Sequence, residues 1–290
     1  MSDLLRVASW NLHWAAGKRA RRLGELLKRT GGAPNIAMLQ EADPDGLDEF
    51  CDAAGLTWWV AAQTAFPDLL AVRGRDGAGR PRRPRGVALA GTGAPARSPL
   101  AFPDVPLPEK VLAAWIDVGG QPVTVVSYHA PTGVQHKEKK PEQAVRLARW
   151  LRSIDGPVLF AGDFNTPATD HPDHAMIRTH WHTGHRNLAG LPGDDLLVGP
   201  NEIHALRDVF RTWLDDHPVA ARQIRESFPE GPLAISHRTG TPRNPRRYDA
   251  IWASPHFSVK DVQYLYEPAV EAGSDHALVL SDIELSQTSG

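Results

Sequence analysis

VLFAGDFNTP, residues 158–167, is an apolar run that stops at Gly162, then delivers Asp163 and, two residues later, Asn165 ahead of a proline. The run is of strand length and ends in turn formers, since short polar side chains bond local backbone and proline fixes φ. A strand can leave a core in this way with no function attached. This ending, however, is repeated. VASW ends in Asn11, IAMLQ in Glu41 and VVSY in His129; Asp249 follows Tyr248 at the opening of AIWAS; and Ser274, Asp275 and His276 precede ALVL. Six strand borders carry acids, amides or imidazoles.

The other apolar runs rich in β-branched and aromatic residues are also strand length: Leu5 to Trp10, Ile36 to Leu39, Val87 to Ala90, Val111 to Val118, Val123 to Tyr128, Ala250 to Trp252 and Leu278 to Ile283. Helical periodicity is confined to Arg19–Arg29, Glu142–Ile154 and Glu202–Leu214, the last through Ile203, Leu206, Phe210 and Trp213. Many strands and few helices predict an α/β (α+β) fold of sheets packed on each other with helices outside. No Gly-, Ser- or Pro-rich run divides the chain, so residues 1–286 read as one domain followed by a tail at 287–290.

Bulk properties exclude several classes. A 41% hydrophobic, 23% charged composition is that of a folded chain, and a net charge of −2 argues against a nucleic-acid coat protein that binds by summed positive charge. A single cysteine, Cys51, rules out an internal disulfide and a thiolate zinc site, and reads as a small buried residue. Arg6 interrupts the N-terminal apolar stretch, so no signal peptide is read, and no run approaches the roughly 20 residues of a membrane span. The expected location is cytoplasmic, with no membrane span and no obligate protein partner.

If the six borders meet at one sheet edge, carboxylates crowd together and need a cation to offset their repulsion. Hard oxygen donors without cysteine favour Mg²⁺, with Mn²⁺ as a substitute. Such a site suits phosphoryl chemistry: the cation neutralises developing charge, a carboxylate readies water, an amide fixes a phosphate oxygen and an imidazole donates to phosphate or leaving group.

The series SWNLH, LQE, RGVAL, YHAP, GDFNT, RRYDAIWAS and SDHALV, running from residue 7 to about residue 283, resembles the endonuclease/exonuclease/phosphatase superfamily. That superfamily includes pancreatic-type deoxyribonucleases, apurinic/apyrimidinic endonucleases, inositol polyphosphate phosphatases and neutral sphingomyelinases. The resemblance implies a four-layer α/β/β/α sandwich of two mixed sheets. It also implies roles: Glu41 as main metal carboxylate with Asn11 and Asp275 beside the metal; Asp163 orienting and deprotonating water; Asn165 holding a phosphate oxygen. His276, oriented by Asp249, would stabilise the pentavalent transition state, and His129 would contact phosphate or act as acid toward the leaving group. Leu278, where the family often has proline, and YHAPTG are departures that touch packing and loop shape rather than the ligand set. A silent binding module would lack a metal carboxylate or the water-activating aspartate; this chain keeps both.

Two arginine-rich loops bear on substrate. RGRDGAGRPRRPR, residues 73–85, holds six arginines against one aspartate, and HRTGTPRNPRR, residues 237–247, leads into Asp249. Arg85, Arg243, Arg246 and Arg247 are the candidate substrate contacts, which favours DNA or RNA as the phosphoester over a small-molecule or lipid-head-group ester; Arg247, where the family frequently has arginine, also reads as structural. Asp208, in LRDVFRTW, reads as a family element or a surface residue. The histidine-rich stretch at residues 171–185 matches no metal-ligand spacing and reads as a loop lining the pocket.

Overall fold

The computed structural model describes residues 3–70, 86–102, 104–179, 182–183, 186–187, 193–240 and 244–286. Arg85, Arg243, the arginine loop at 73–85, His180, His185 and the tail at 287–290 lie outside the described residues, as does the side chain of His182. In chain order the first part runs β1 (Asp3–Asn11), α1 (Lys18–Arg29), β2 (Ile36–Ala42), α2 (Pro44–Ala54), β3 (Trp58–Ala61), the single turns α3 (Ala62–Ala65) and α4 (Pro67–Leu70), β4 (Gly86–Gly91), β5 (Arg97–Leu100), β6 (Val111–Val118) and β7 (Gln121–His129). There follow α5 (Gly133–His136), α6 (Lys139–Arg152), β8 (Val158–Asp163), a two-strand ribbon of β9 (His182–Thr183) and β10 (Arg186–Asn187), α7 (Asp194–Val198), β11 (Arg207–Asp208), α8 (Val209–Asp216) and α9 (Pro218–Ser227). The chain ends with β12 (His237–Thr239), β13 (Asn244–Arg246), β14 (Asp249–Ala253), β15 (Phe257–Leu265), α10 (Tyr266–Ala272) and β16 (Leu278–Leu285).

Twelve of these strands form two six-stranded mixed sheets, ordered β15-β16-β1-β2-β4-β3 and β11-β14-β8-β7-β6-β5. Strand alternation assigns the layers, because successive side chains point to opposite faces. Val7, Ile36, Met38, Leu159, Ala161 and Ile251 meet in the core between the sheets. Their neighbours Ala8, Trp10, Ala37 and Leu39 pack outward against Leu23, Leu27 and Phe50 of α1 and α2 and Ala269 of α10. On the other side Phe160 and Trp252 pack against Leu147 and Leu151 of α6. The result is the α/β/β/α sandwich.

Topology gathers the polar strand ends. β1 runs parallel to β2, and β7 parallel to β8, so Asn11, Glu41, His129 and Asp163 all leave their strands at one end. β14 and β16 are antiparallel to β8 and β1, so their first residues and the residues just before them arrive at that same end. Asp163 pairs with both His129 and Asp249 in register.

Two departures from the sequence pattern have clear causes. The helix expected over Glu202–Leu214 begins only at Val209: Asp208 is extended and its side chain accepts from Phe210 N and Arg211 N, capping the helix there. Upstream, His204 Nε2 bonds Leu197 O at 2.8 Å and holds the preceding residues as a loop. β15 was not expected at all, since a bulge between Val259 and Asp261 shifts its apolar positions from 257 and 259 to 262 and 264, breaking the two-residue period. Cys51 is buried, and burial pushes its thiol up to about 12, so it is an inert packing residue.

Candidate active site

The site is assembled around Asp163, the last residue of β8, which is 2% exposed. Its Oδ1 accepts the backbone N–H of Asn165 at 3.0 Å and its Oδ2 accepts the Asn11 amide at 3.1 Å. The same Oδ2 lies 3.6 Å from His129 Nε2 and 3.7 Å from His276 Nε2. Burial works against ionisation of Asp163, but His276, His129 and the Asn165 N–H outweigh it and hold the carboxyl below its ordinary value.

The two histidines are set differently. His276 Nδ1 faces Asp249 Oδ2 at 2.8 Å. Burial opposes its positive charge, yet Asp249 and Asp163 raise the imidazole to about 10. Burial also raises the Asp249 carboxyl, with His276 acting against that rise. The Asp249 backbone is pinned by Ser236 Oγ, which accepts its N–H at 3.0 Å. His129 Nδ1 lies 3.1 Å from Lys110 Nζ, and its Nε2 lies 3.7 Å from Glu41 Oε1. Burial first and Lys110 second push His129 well below its ordinary pKa.

Backbone conformation is constrained where the groups project. Glu41 and Asn165 have φ of 47° and 49°, a region L residues seldom occupy, and such positions persist where surrounding structure over-determines them. Glu41 O accepts Trp14 N–H at 3.0 Å. Asn165 Nδ2 donates to Ala130 O at 3.0 Å, which leaves the second amide hydrogen for a ligand. Lys140, 1% exposed, donates to the carbonyls of Phe164 and Asn165 at 3.1 and 3.2 Å and pairs with Asp194 at 3.1 Å.

Asp163, Asn165, Asn11, His129, Asp249 and His276 are therefore brought together, and Glu41 joins them through His129. Asp275 stands at the rim, half exposed, paired with His13 Nδ1 at 3.2 Å. The carboxylates of Glu41, Asp163 and Asp275 and the Asn11 amide are hard oxygen donors of the kind that Mg²⁺ or Mn²⁺ takes. Among the described residues, the metal-capable donors that lie within 4.8 Å of one another are those of Asp163, Asp249 and His276, and of His237, Asp275 and His276. In the second group the His237 and His276 rings stack at 4.2 Å and 18°, so their lone pairs lie in nearly parallel planes, an awkward arrangement for sharing one ion.

Arg247 requires a correction. It is 5% exposed, its guanidinium held by Asp170 and Asp208 and by Tyr264 Oη, so it is a buried structural cation rather than a substrate contact. Asp208 is likewise buried rather than a surface residue. Arg246 is half-buried and donates to Ala168 O at 2.7 Å, beside the loop after Asn165. His171 and His174 line a cavity of about 760 Å³ with Glu202, Arg207 and Arg211, and that cavity includes none of the residues around Asp163. The sequence reading missed Lys110, Lys140, Ser236 and His237. The contacts described for them reach backbone atoms, a ring nitrogen, a carboxylate and a ring face distant in sequence, for which no local pattern exists.

Comparison with known proteins agrees with this fold. The chain matches the Endonuclease/Exonuclease/phosphatase family over residues 8–276. No curated protein matches its sequence. Among solved structures it is similar to an endonuclease/exonuclease/phosphatase from Beutenbergia cavernae DSM 12333, at 22% identity and a TM-score of 0.63, covering 98% of this chain and 72% of that one. It is also similar to the human Nocturnin catalytic domain with bound sulfate anion, at 16% identity and a TM-score of 0.61, covering 98% and 94%. A third is D. rerio TDP2 complexed with single strand DNA product, at 14% identity and a TM-score of 0.60, covering 97% and 98%. At these identities the structural likeness is one of fold, and it is the family match across nearly the whole chain that places the protein: it belongs to the endonuclease/exonuclease/phosphatase family of metal-dependent hydrolases acting on phosphoester bonds.

Proposed function

We propose that the protein is a Mg²⁺-dependent phosphodiesterase that cleaves nucleic acid by in-line attack of water. The observation that carries this reading is the convergence of two imidazole Nε2 atoms, at 3.6 and 3.7 Å, on one buried carboxylate oxygen of Asp163. Glu41, Asn11 and Asp275 would hold the cation, which supplies charge neutralisation at the phosphate and polarises its P–O bonds. Asp163, kept ionised by its neighbours, orients the attacking water and accepts its proton. Asn165 offers its second amide hydrogen to a phosphate oxygen, and His276, backed by Asp249, donates from Nε2 to the charge that develops in the transition state. Nucleic acid is favoured by the six arginines at residues 73–85. TDP2, of like fold, has been solved with a single-strand DNA product.

A second reading, a phosphatase or phosphodiesterase acting on a small-molecule or lipid-head-group ester, is favoured by one observation: Arg247 is withdrawn into the interior, so the second arginine cluster offers less cationic rim than its sequence suggests. A hydrolysis panel separates the two. Plasmid DNA, single-stranded RNA, abasic duplex, a bis-aryl phosphodiester and soluble phosphomonoesters are each incubated with Mg²⁺, Mn²⁺ or chelator. The expected result is cleavage of a nucleic acid, abolished by chelator and by Glu41→Gln or Asp163→Asn. Turnover confined to phosphomonoesters would establish the second reading, and a folded protein that cleaves nothing sinks both.

A further inference from the structure

The buried lysine at the end of β7's neighbour strand bears on how His129 works. Lys110 is 8% exposed and closes a 3₁₀ turn at Pro108–Lys110, just ahead of β6. β6 and β7 are antiparallel with Val111 opposite Tyr128, so one further step of the register sets Lys110 across from His129. Its Nζ reaches His129 Nδ1 at 3.1 Å, while the other ring nitrogen looks toward Glu41 and Asp163 at 3.7 and 3.6 Å.

An ammonium carries three N–H donors and no lone pair. The contact therefore requires His129 Nδ1 to accept, and the ring hydrogen must then sit on Nε2. His276 is set the opposite way, since Asp249 Oδ2 accepts from its Nδ1. We propose that Lys110 is a positioning residue for the reaction: it fixes His129 as the Nε2–H tautomer and aims that hydrogen past Glu41 and Asp163 at the substrate phosphate. His129 then acts as a fixed hydrogen-bond donor to a phosphate oxygen. A ring hydrogen on Nδ1 would meet the ammonium head-on, so Lys110 removes the non-productive tautomer before substrate arrives, a form of preorganisation. The chemical consequence rests on the phosphoester-hydrolase reading above; the tautomer itself does not.

The test reads the tautomer directly. Long-range ¹H–¹⁵N correlation spectra are recorded on the uniformly ¹⁵N-labelled full chain in chelator, with the His129 signals assigned by their loss in His129→Gln. Wild type and Lys110→Arg, whose guanidinium also lacks an acceptor, are expected to show an unprotonated Nδ1 and a protonated Nε2. Lys110→Met is expected to shift the ring toward Nδ1–H. An Nδ1–H ring in wild type or Lys110→Arg, or a Lys110→Met spectrum with the tautomer unchanged, overturns the proposal. Should Lys110→Met fail to fold, the wild-type and Lys110→Arg spectra decide. In steady-state hydrolysis of a bis-aryl phosphodiester with Mg²⁺, Lys110→Met is expected to lower kcat roughly 10- to 100-fold with KM changed less than about threefold, and Lys110→Arg to restore most of it. A raised KM with unchanged kcat would count against positioning. A wild type that hydrolyses no phosphoester removes the proposed function and leaves the spectra to decide the tautomer.

Discussion

Both oxygens of Asp163 are engaged, Oδ1 by the Asn165 N–H and Oδ2 by the Asn11 amide, so its rotamer is set before any substrate arrives. Asp163→Asn keeps that shape but replaces one acceptor with an NH₂ that meets the Asn11 donor. It is expected to lower kcat by roughly 10²- to 10⁴-fold and, through that buried clash of donors, to cost about 1–3 kcal/mol of stability, the two effects read separately by kinetics normalised to folded protein and by calorimetry. Asp249→Asn takes the carboxylate from His276 Nδ1, and a kcat loss within that same range is expected, with KM little altered. An Asp249→Asn enzyme with wild-type kcat would show that His276 needs no orienting partner. Asp163, Asn165, Asp249 and His276 were legible in the sequence because an acid, amide or imidazole at the end of an apolar run is a visible anomaly. Arg247 admits two readings in the sequence, substrate contact or structural cation, because an arginine two residues before Asp249 looks the same whether it faces substrate or core. What decides the matter are Asp208 and Asp170, 39 and 77 residues away along the chain.

Elements bring these residues together through close approaches that glycine permits. A Cβ on Gly162 would collide with the Tyr128 carbonyl oxygen, its register partner on β7, and a Cβ on Gly24 would collide with Phe50 O where α1 crosses α2. The two sites predict different phenotypes from the same chemical change. Gly24→Ala is expected to cost about 1–3 kcal/mol by forcing the helices apart, with turnover per folded molecule unchanged, because its neighbours face the outer layer. Gly162→Ala should cost a similar amount and lower kcat too, since Tyr128 and Gly162 immediately precede His129 and Asp163. Chemical denaturation followed by assays normalised to folded protein checks both, and equal kcat in the two variants would contradict this placement. At this scale the sequence was informative for buried strands and weak for edges. β8 and β14 announce themselves by continuous apolar runs, whereas β15 is an edge strand whose bulge scrambles its alternation.

Across the whole molecule, the two sheets are joined beside the site by a buried ionic cluster as well as by apolar packing. Arg247, just ahead of β14, binds Asp170 from the loop after Asn165, Asp208 from the start of α8, and Tyr264 Oη from β15 in the opposite sheet, while Arg211 also pairs with Asp170. Tyr264 Oη in turn donates to Asp249 O at 3.0 Å, so the cluster abuts the residue that orients His276. Burial raises the cost of ionising Asp170, but Arg247 and Arg211 overcome it and hold its carboxyl below the ordinary value. The folded state thus binds this proton less readily than the unfolded chain. Its contribution to stability is complete above the unfolded Asp value of about 3.9 and is lost as pH falls through the lower folded value. Arg247→Met should cost about 3–5 kcal/mol near neutral pH, because it leaves buried carboxylates short of a partner. Those carboxylates then gain by taking up a proton, so the sign of the pH effect differs from wild type. From about pH 7 to about pH 5 the wild-type melting temperature should stay nearly level with respect to this cluster while that of the variant rises toward it, narrowing the gap. Differential scanning calorimetry of both proteins across that range checks the prediction. A gap that stays constant or widens would mean that Arg247 stabilises by packing on Phe210, whose ring centroid lies 5.9 Å from its guanidinium carbon, and not by holding the acids ionised.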